Sequence, residues 1–478
     1  MTLFRRYPVH GLAAALCLGL AFANAARVTS PVLLAAAAGP ALKRGLFLAL
    51  SFTLLGWWWG SVRLDALDRS PLAAEIGTAE RARVVVTGDA RRGRFDQRAS
   101  GHVVQYGRLR PDEPVLLRFS LERAPPQGAV LDALGVVTAP RPASRGFDER
   151  VWLRRHGVHV VLRLDEWSIV GRRGGLGGLA DRLRGWLRRS ATRGLHGERA
   201  AVLEGVVLGD DGGLSDGLRQ RFRASGLYHL LAVSGQNVAL VAASALVLAW
   251  LVGAPRWAGQ IGALAGIGAY VLAVGPQPSV VRAGIAGALG SVAWLSGRMT
   301  DRWHFLLVGA AVLLAWNPYT LFDAGFQLSF AAVGAIFVLV PRLRSRLDGY
   351  PLPASLAEAV AVSAACGLAT APVMWFEFHA VPLLTVPANA LAAPAMVPLL
   401  GLALAGAVVA PIAPAATAAL AWINGWLAVY IATCARVIGG LPGAQIHSGR
   451  ALLDVVAGAL LVSALVFEPR GRRSSTSS

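Results

Sequence analysis

From about residue 225 to 467 the sequence is a succession of apolar runs, broken only by short polar or Gly-Pro turns. Segments read near 230–251, 259–275, 279–296, 304–316, 325–340, 356–376, 382–408, 416–438 and 450–467. Most approach or exceed the roughly 20 residues that cross a bilayer. Segments near 9–26, 28–42 and 45–62 extend the series at the other end. Such runs leave few options, because in lipid a backbone must satisfy its own N–H and C=O groups, as a helix does. Only 15% of the 478 residues are charged, against about 25% in a soluble domain. The expected fold class is a polytopic α-helical membrane protein of about 11–12 transmembrane segments, some re-entrant, with an inserted small all-β, OB-like extracytoplasmic domain. Pro387, Pro394 and Pro398 mark 382–408 as a broken or re-entrant piece. Ala23-Asn24-Ala25 fits a signal-cleavage pattern, but the apolar segments that follow favour a first transmembrane helix. Trp57, Trp58 and Trp59 read as an interfacial aromatic belt.

The net charge of +19 is almost all Arg, and Lys43 is the only lysine. Cytoplasmic loops carry the basic excess. With Arg5, Arg6, Lys43 and Arg44 inside, three crossings put residue 63 outside. Nine further crossings bring the C-terminus inside. Arg256, Arg298, Arg302, Arg342, Arg344, Arg346, Arg470, Arg472 and Arg473 agree with that path. Residues 70–224 are therefore expected to be extracytoplasmic on a multi-pass plasma-membrane protein. Cys17, Cys366 and Cys434 lie far apart in apolar segments and fit no disulfide or metal framework.

Five regions follow: N-terminal membrane segments (1–69), the β domain (70–171), an amphipathic basic helix and connector (172–224), the membrane core (225–469) and a basic, Ser-rich cytoplasmic tail (470–478). Strands are expected at 82–88, 102–109, 115–121, 129–138 and 158–170, with a short helix capped by Asp148 and stopped at Gly157. Five strands and one short helix suit an OB-type barrel, a common platform for single-stranded nucleic acid. The span 75–170 holds 16 Arg against 12 acids, too mild a bias to argue binding. Arg91, Arg92 and Arg94 in a loop are the DNA-binding candidates there. Residues 176–207 read as helical, with Leu176, Leu179, Leu183 and Trp186/Leu187 on one stripe. Arg182, Arg184, Arg188 and Arg189 lie mostly elsewhere, which suits a helix at the membrane interface. Arg182, Arg188 and Arg189 are candidates for guiding a polyanion.

The most unusual stretch is Arg221–Val241, where Ser234, Gly235, Gln236 and Asn237 interrupt an apolar run led in by His229. Buried polar groups cost free energy unless partnered, so such a cluster points either to a site or to a helix–helix lock. Arg282, one turn into 279–296, either snorkels or faces a pore where it meets phosphate. Asp323 and Gln327 are four apart on one helix face, near Ser329, as a lock or a cavity lining. Signatures of catalysis are missing. A Walker loop has no lysine to use, Ser234 lacks the first Gly of a G-x-S-x-G elbow, and no H-E-x-x-H occurs. No catalytic residue, metal or cofactor is expected.

SGLYHLLAVSGQNVALV (225–241), PSVVRAG (278–284) and NPYTLFDAGFQLSFAAVG (317–334) resemble the ComEC family of DNA-uptake competence proteins, as do VVLGDDGGLSDGLRQRF (206–222) and RGFDERVWLRRHGVHVVLR (145–163). The resemblance implies a channel component that passes single-stranded DNA into the cytoplasm during transformation. It also implies an outer domain that receives DNA, and partners that include membrane lipid, a DNA receptor, helicase or nuclease components and further copies of the chain. Many members have His where Asn237 stands, and Asn does not titrate. Many carry a metallo-β-lactamase-like domain whose ligand motif is absent from these 478 residues, so any nuclease activity is expected to come from elsewhere or to be absent. Two other readings stay open: a membrane transporter or envelope-substrate enzyme, and a non-conducting scaffold of the uptake machinery.

Overall fold

The computed structural model describes residues 8–28, 44–93, 95–143, 148–297, 301–348 and 350–450. The segments expected near 28–42 and 450–467, the 470–478 tail and Arg94 lie outside these residues. The chain forms two compact units: Met1–Leu214 with His229–Phe330 and Ala395–Val429, and Ser215–Tyr228 with Ala331–Pro394 and Tyr430–Ser478.

In the first unit, α1 (Pro8–Phe22) packs on α2 (Arg44–Leu67). The crossing is glycine-limited: a Cβ at Gly19 would stand 1.9 Å from the Thr53 carbonyl oxygen, and one at Gly56 would stand 2.4 Å from that of Leu16. Any side chain at either position would force the helices apart.

The β domain is a closed ring. Its strands are β1 (Ala79–Val86), the two-residue β2 (Arg91–Arg92), β3 (Gln97–Tyr106), β4 (Glu113–Phe119), β5 (Ala129–Thr138) and β6 (Val161–Arg172). The order β1-β5-β6-β4-β3 closes through a β1–β3 pairing, and β2 extends one edge of β3. All neighbours are antiparallel except β4 and β6. That five-stranded order, with its single parallel pair, is OB-like. It follows from alternation: β4 and β5 bury every second residue. Val84, Val103, Leu117, Leu131, Val137 and Leu162 fill the interior. Tyr106 is buried among them and donates its hydroxyl to the Thr78 carbonyl at 2.8 Å. The five expected strands are all present, displaced by up to a few residues at their ends. Asp148 caps α3 (Glu149–Arg155) by accepting from the Arg150 and Val151 amides.

The expected helix over 176–207 is two helices, α4 (Gly175–Ala191) and α5 (Glu198–Leu208). Gly194 and Gly197, both in the left-handed region, turn the chain between them. Then α6 (Asp216–Ala224) and α7 (Tyr228–Leu231) lead to α8 (Gly235–Leu251), α9 (Arg256–Val274), α10 (Pro278–Leu295) and α11 (Arg302–Trp316). A 3-10 turn over Pro318–Phe322 precedes α12 (Ala324–Val338), α13 (Val340–Leu347), α14 (Ala354–Phe378), α15 (Thr385–Val409) and α16 (Pro414–Gly439). In the second unit β7 (Val381–Pro382) pairs with β8 (Gln445–Ile446).

Among the described residues six helical segments are long and apolar enough to cross a membrane: Gly45–Glu75, α9, α10, α14, α15 and α16. The pair α12–α13, bent by 46°, passes the same test only when its two helices are taken together, as a broken span or a re-entrant loop, and α1, α8 and α11 are shorter apolar helices. One expectation is corrected. Residues 382–408 are not broken: α15 runs continuously through Pro387, Pro394 and Pro398. Pro387 falls in the first turn, where its N–H has no helical partner to lose. Pro394 and Pro398 are four apart, so the bonds they delete lie on one side of the helix. Cys17, Cys366 and Cys434 are free thiols.

Candidate functional site

The polar quartet 234–237 begins a helix instead of interrupting one. The chain leaves α7 at Leu231, runs extended through Ser234 at the N-cap, and turns into α8 at Gly235. The expected uninterrupted segment at 230–251 is thus split, and the quartet occupies the cap and first turn. There its members separate. Gln236 is exposed. Asn237 is 2% exposed. The Asn237 amide nitrogen donates to the Val206 carbonyl at 2.9 Å and to the Tyr270 hydroxyl at 3.2 Å. Tyr270 in turn donates to the Val207 carbonyl at 2.7 Å. Ser234 Oγ donates to Asn237 Oδ1 at 3.2 Å. Val206 and Val207 lie in the last turn of α5, whose carbonyls have no further helical donors. Asn237 and Tyr270 therefore satisfy the C-terminus of α5 from α8 and α9, an interhelical lock. His229 is exposed on α7.

The second element is Arg282 on α10. Its Nε donates to Ser329 Oγ on α12 at 2.8 Å, and the guanidinium stands 6.0 Å from the Phe330 ring centroid. A Cβ at Gly235 would be 3.8 Å from one terminal nitrogen of Arg282, so the group lies beside the first turn of α8. Gly309 on α11 flanks the aliphatic stem. Among the described residues no carboxylate pairs with Arg282. A half-buried cation and the positive end of a helix share one place in a candidate span, an arrangement complementary to an anion. Ser279 Oγ, one turn earlier, donates to the Val233 carbonyl at 2.7 Å and ties α10 to the same break.

Asp323 and Gln327 act locally. Asp323 accepts the Phe326 amide at 3.0 Å and so caps α12, while the Gln327 side chain donates to the Leu321 carbonyl at 3.0 Å. They fix the start of the helix that carries Ser329. The preceding turn holds the barrel. Asn317 Nδ2 donates to the Arg155 carbonyl at 2.8 Å, and the Arg155 guanidinium lies 4.9 Å from the Phe322 ring. Tyr319 donates to Asp68, which also takes both guanidinium donors of Arg154 at 2.9 and 2.8 Å, and Arg27. His159 meets the Leu67 carbonyl at 2.8 Å.

The arginines proposed to meet a polyanion fall into two groups. Arg92, Arg182 and Arg189 are exposed. Arg91 is exposed too and lies 3.5 Å from Asp211. Arg188 is drawn into a half-buried cluster. It meets Asp210 at 2.8 Å and Glu204 at 3.7 Å, and also Asp89, which Arg184 approaches at 3.2 Å. Burial alone would raise the Asp89 carboxyl, but hydrogen bonds and charge from Arg188 and Arg184 hold it below the ordinary carboxylate range. Glu204 goes the other way: burial raises it and Arg188 compensates only in part. This cluster joins the β1–β2 loop to α4 and α5.

Sequence reasoning singles out Asp210 and Asp211 as a turn with two carboxylates that alone make no metal site, but misses Tyr270, Asp89, Asp68 and Tyr319. Tyr270 left a trace, a lone hydroxyl in an apolar run. The acids left none, because their partners are far away in sequence. Among the described residues no group of three His, Cys, Asp or Glu is placed to hold a metal ion.

A family model described as competence protein matches residues 206–473. The ComE operon protein 3 of Bacillus subtilis (strain 168) is 30% identical over 202 residues, which are 41% of this chain and 25% of that protein. Competence protein ComA of Neisseria gonorrhoeae is 29% identical over 211 residues, 40% of this chain and 29% of that one. The uncharacterized protein YcaI of Escherichia coli (strain K12) is 28% identical over 204 residues, 41% and 27% of the two chains. The matched region thus spans only about a quarter of these relatives' length. No solved structure matches.

Proposed function

The chain belongs to the competence protein family, and on that premise we propose that this multi-pass membrane protein provides the path by which single-stranded DNA enters the cytoplasm. The observation that carries the reading is Arg282: a guanidinium in a candidate span, held by one serine and an aromatic face and paired with no described carboxylate. A passing phosphate would meet Arg282, the first turn of α8 and the exposed Gln236, with Ser329 holding the guanidinium in place. Asp323 and Gln327 shape the path without touching the strand. Outside the core, Arg91, Arg92, Arg182 and Arg189 would receive the DNA, while Arg188 holds the connector together. In this reading a receptor, a helicase or nuclease and an energy source are supplied by partner proteins.

The test is transformation of a deletion strain complemented with Arg282→Gln or Arg282→Lys, with protein abundance measured in parallel. Loss of one charge-assisted phosphate contact predicts at least about a tenfold fall in transformants for Arg282→Gln and a smaller fall for Arg282→Lys. Normal transformation by Arg282→Gln at normal abundance would overturn the path.

A second reading, a non-conducting scaffold, draws on the burial of Asn237 in a helix lock. It predicts that Asn237→Leu lowers abundance and that Gln236→Leu and Arg282→Gln leave transformation unchanged.

A further inference from the structure

The short helix α3 has a face that the barrel does not use. Val151 and Trp152 precede Arg155 by four and three residues, so the three share one side of the helix, while Leu153 on the other side is buried. Arg155 turns the shared side toward the end of α11. Its guanidinium lies 4.9 Å from the Phe322 ring, and its carbonyl accepts from Asn317 at 2.8 Å. Val151 and Trp152 continue that side beyond the contact and remain 43% and 47% exposed.

The neighbours of this face are aromatic. Trp59 on α2, Phe322, and Trp316 at the end of α11 are exposed, Trp316 by 75%. The Trp59 indole donates to the Ala315 carbonyl at 2.9 Å. Arg63 donates twice to the Trp316 carbonyl, at 3.1 and 3.0 Å, and its guanidinium stands 5.8 Å from the Trp316 ring. These bonds fix two indoles and a cation at one level of the candidate span Gly45–Glu75. Asp68, which holds Arg154 of α3, follows Arg63 by five residues, about 7.5 Å of helix rise. Helix α3 therefore lies a short step beyond the aromatic level.

We propose that α3 rests in the headgroup layer of the bilayer and inserts Val151 and Trp152 at its acyl boundary, which seats the barrel on the membrane surface. Exposed indoles collect at the headgroup level, where one end of the ring is wet and the other apolar. Arg63 and Arg155 stand against these rings, a place from which a guanidinium reaches lipid phosphate. Continuity fixes the partner. The aromatic patch runs on from α2, a candidate span, so the lipid that covers α2 also reaches α3. A nucleic-acid strand would need a row of cations along a groove, and this face of α3 presents one aliphatic and one aromatic side chain instead.

The inference does not depend on the DNA path. Full-length protein is prepared with Cys17, Cys366 and Cys434 replaced by alanine, and a nitroxide is attached to a single cysteine introduced by Val151→Cys, Trp152→Cys or Ser168→Cys. Ser168 is the control: it is exposed on β6, about 30 Å of strand away from His159, whose ring meets the Leu67 carbonyl. In bilayers of phosphatidylethanolamine and phosphatidylglycerol, collision of the label with oxygen is compared with collision with a neutral, water-soluble nickel chelate. Labels at 151 and 152 are expected to favour oxygen and to report a depth of about 5 Å or more below the phosphates, while the label at 168 favours the chelate. Labelling 151 keeps Trp152 in place and labelling 152 keeps Val151, so the loss of one anchor does not decide the result. If the alanine background does not fold, a benzophenone side chain placed at position 152 of the chain with its native cysteines should give lipid adducts on illumination, read by mass spectrometry. Three outcomes would overturn the proposal. Labels at 151 and 152 could meet the chelate as often as the label at 168, which puts the face in water. They could be shielded from both reagents, which puts protein on the face. The benzophenone could form adducts with protein and none with lipid.

Discussion

At the scale of single residues, Gln236 and Asn237 show how neighbours acquire opposite duties. One step along a helix is 100° of rotation, enough to send Gln236 outward and Asn237 into the junction of three helices. Asn237→Leu removes three hydrogen bonds and leaves the Val206 carbonyl, the buried Tyr270 hydroxyl and the Ser234 hydroxyl each short of a partner. It is expected to destabilise the protein by about 1–3 kcal/mol, read as a lower melting temperature in detergent. Gln236→Leu should stay within about 0.5 kcal/mol of the wild type. The sequence made the quartet conspicuous but did not reveal this division. The helix break falls at Ala232, Val233 and Ser234, and two of those are ordinary apolar residues that give no warning of an extended turn.

At the scale of elements, α4 was legible as an amphipathic helix, but its partners were not. The apolar stripe does bury in part, with Leu183, Trp186 and Leu187 lining a small cavity together with residues of α8 and α9. The basic face is no uniform band: Arg188 and Arg184 close on acids from a loop and two helix ends, and Asp89 precedes Arg184 by 95 residues. No local period can announce a pairing at that separation. Removing Arg188 leaves Asp89 and Asp210 to share Arg184, at 3.2 and 3.5 Å, so Arg188→Ala should cost about 1–3 kcal/mol. The sign of the pH dependence follows from Asp89. Its folded pKa lies below the unfolded value, so its contribution is complete at neutral pH. That contribution is lost as the pH falls below about 4 and on through the folded value. The raised Glu204 has the opposite sign: its ionised form opposes folding above the unfolded carboxylate range. Unfolding titrations should therefore find Asp89→Asn more damaging than Glu204→Gln at pH 7, with the gap closing toward pH 3.

At the scale of the whole molecule, an OB-type barrel was legible because alternation is local and marks five strands, while the order in which they pair was not, because β1 meets β5 and β4 meets β6 across long stretches of chain. The docking of the barrel was hidden for the same reason. It rests on Asp68, Arg154, Tyr319 and the Asn317–Arg155 bond. Asp68→Asn removes the charge shared by those groups. Hydrogen exchange should then accelerate around residues 154–159 and 317–322, while protection of β4 and β5 is unchanged; loss of protection in the strands would show that docking and barrel folding are one event. The ring closes unevenly, and that sets where it can engage a partner. The parallel pairing of β4 with β6 covers only Leu116–Arg118 against Val161–Arg163, so from Leu164 to Arg172 the strand β6 is paired on its β5 side and by no second described strand. An edge of that length offers a ladder of N–H and C=O groups on which an extended guest segment can be laid and read by its backbone. The two residues of β2 are too few to do the same.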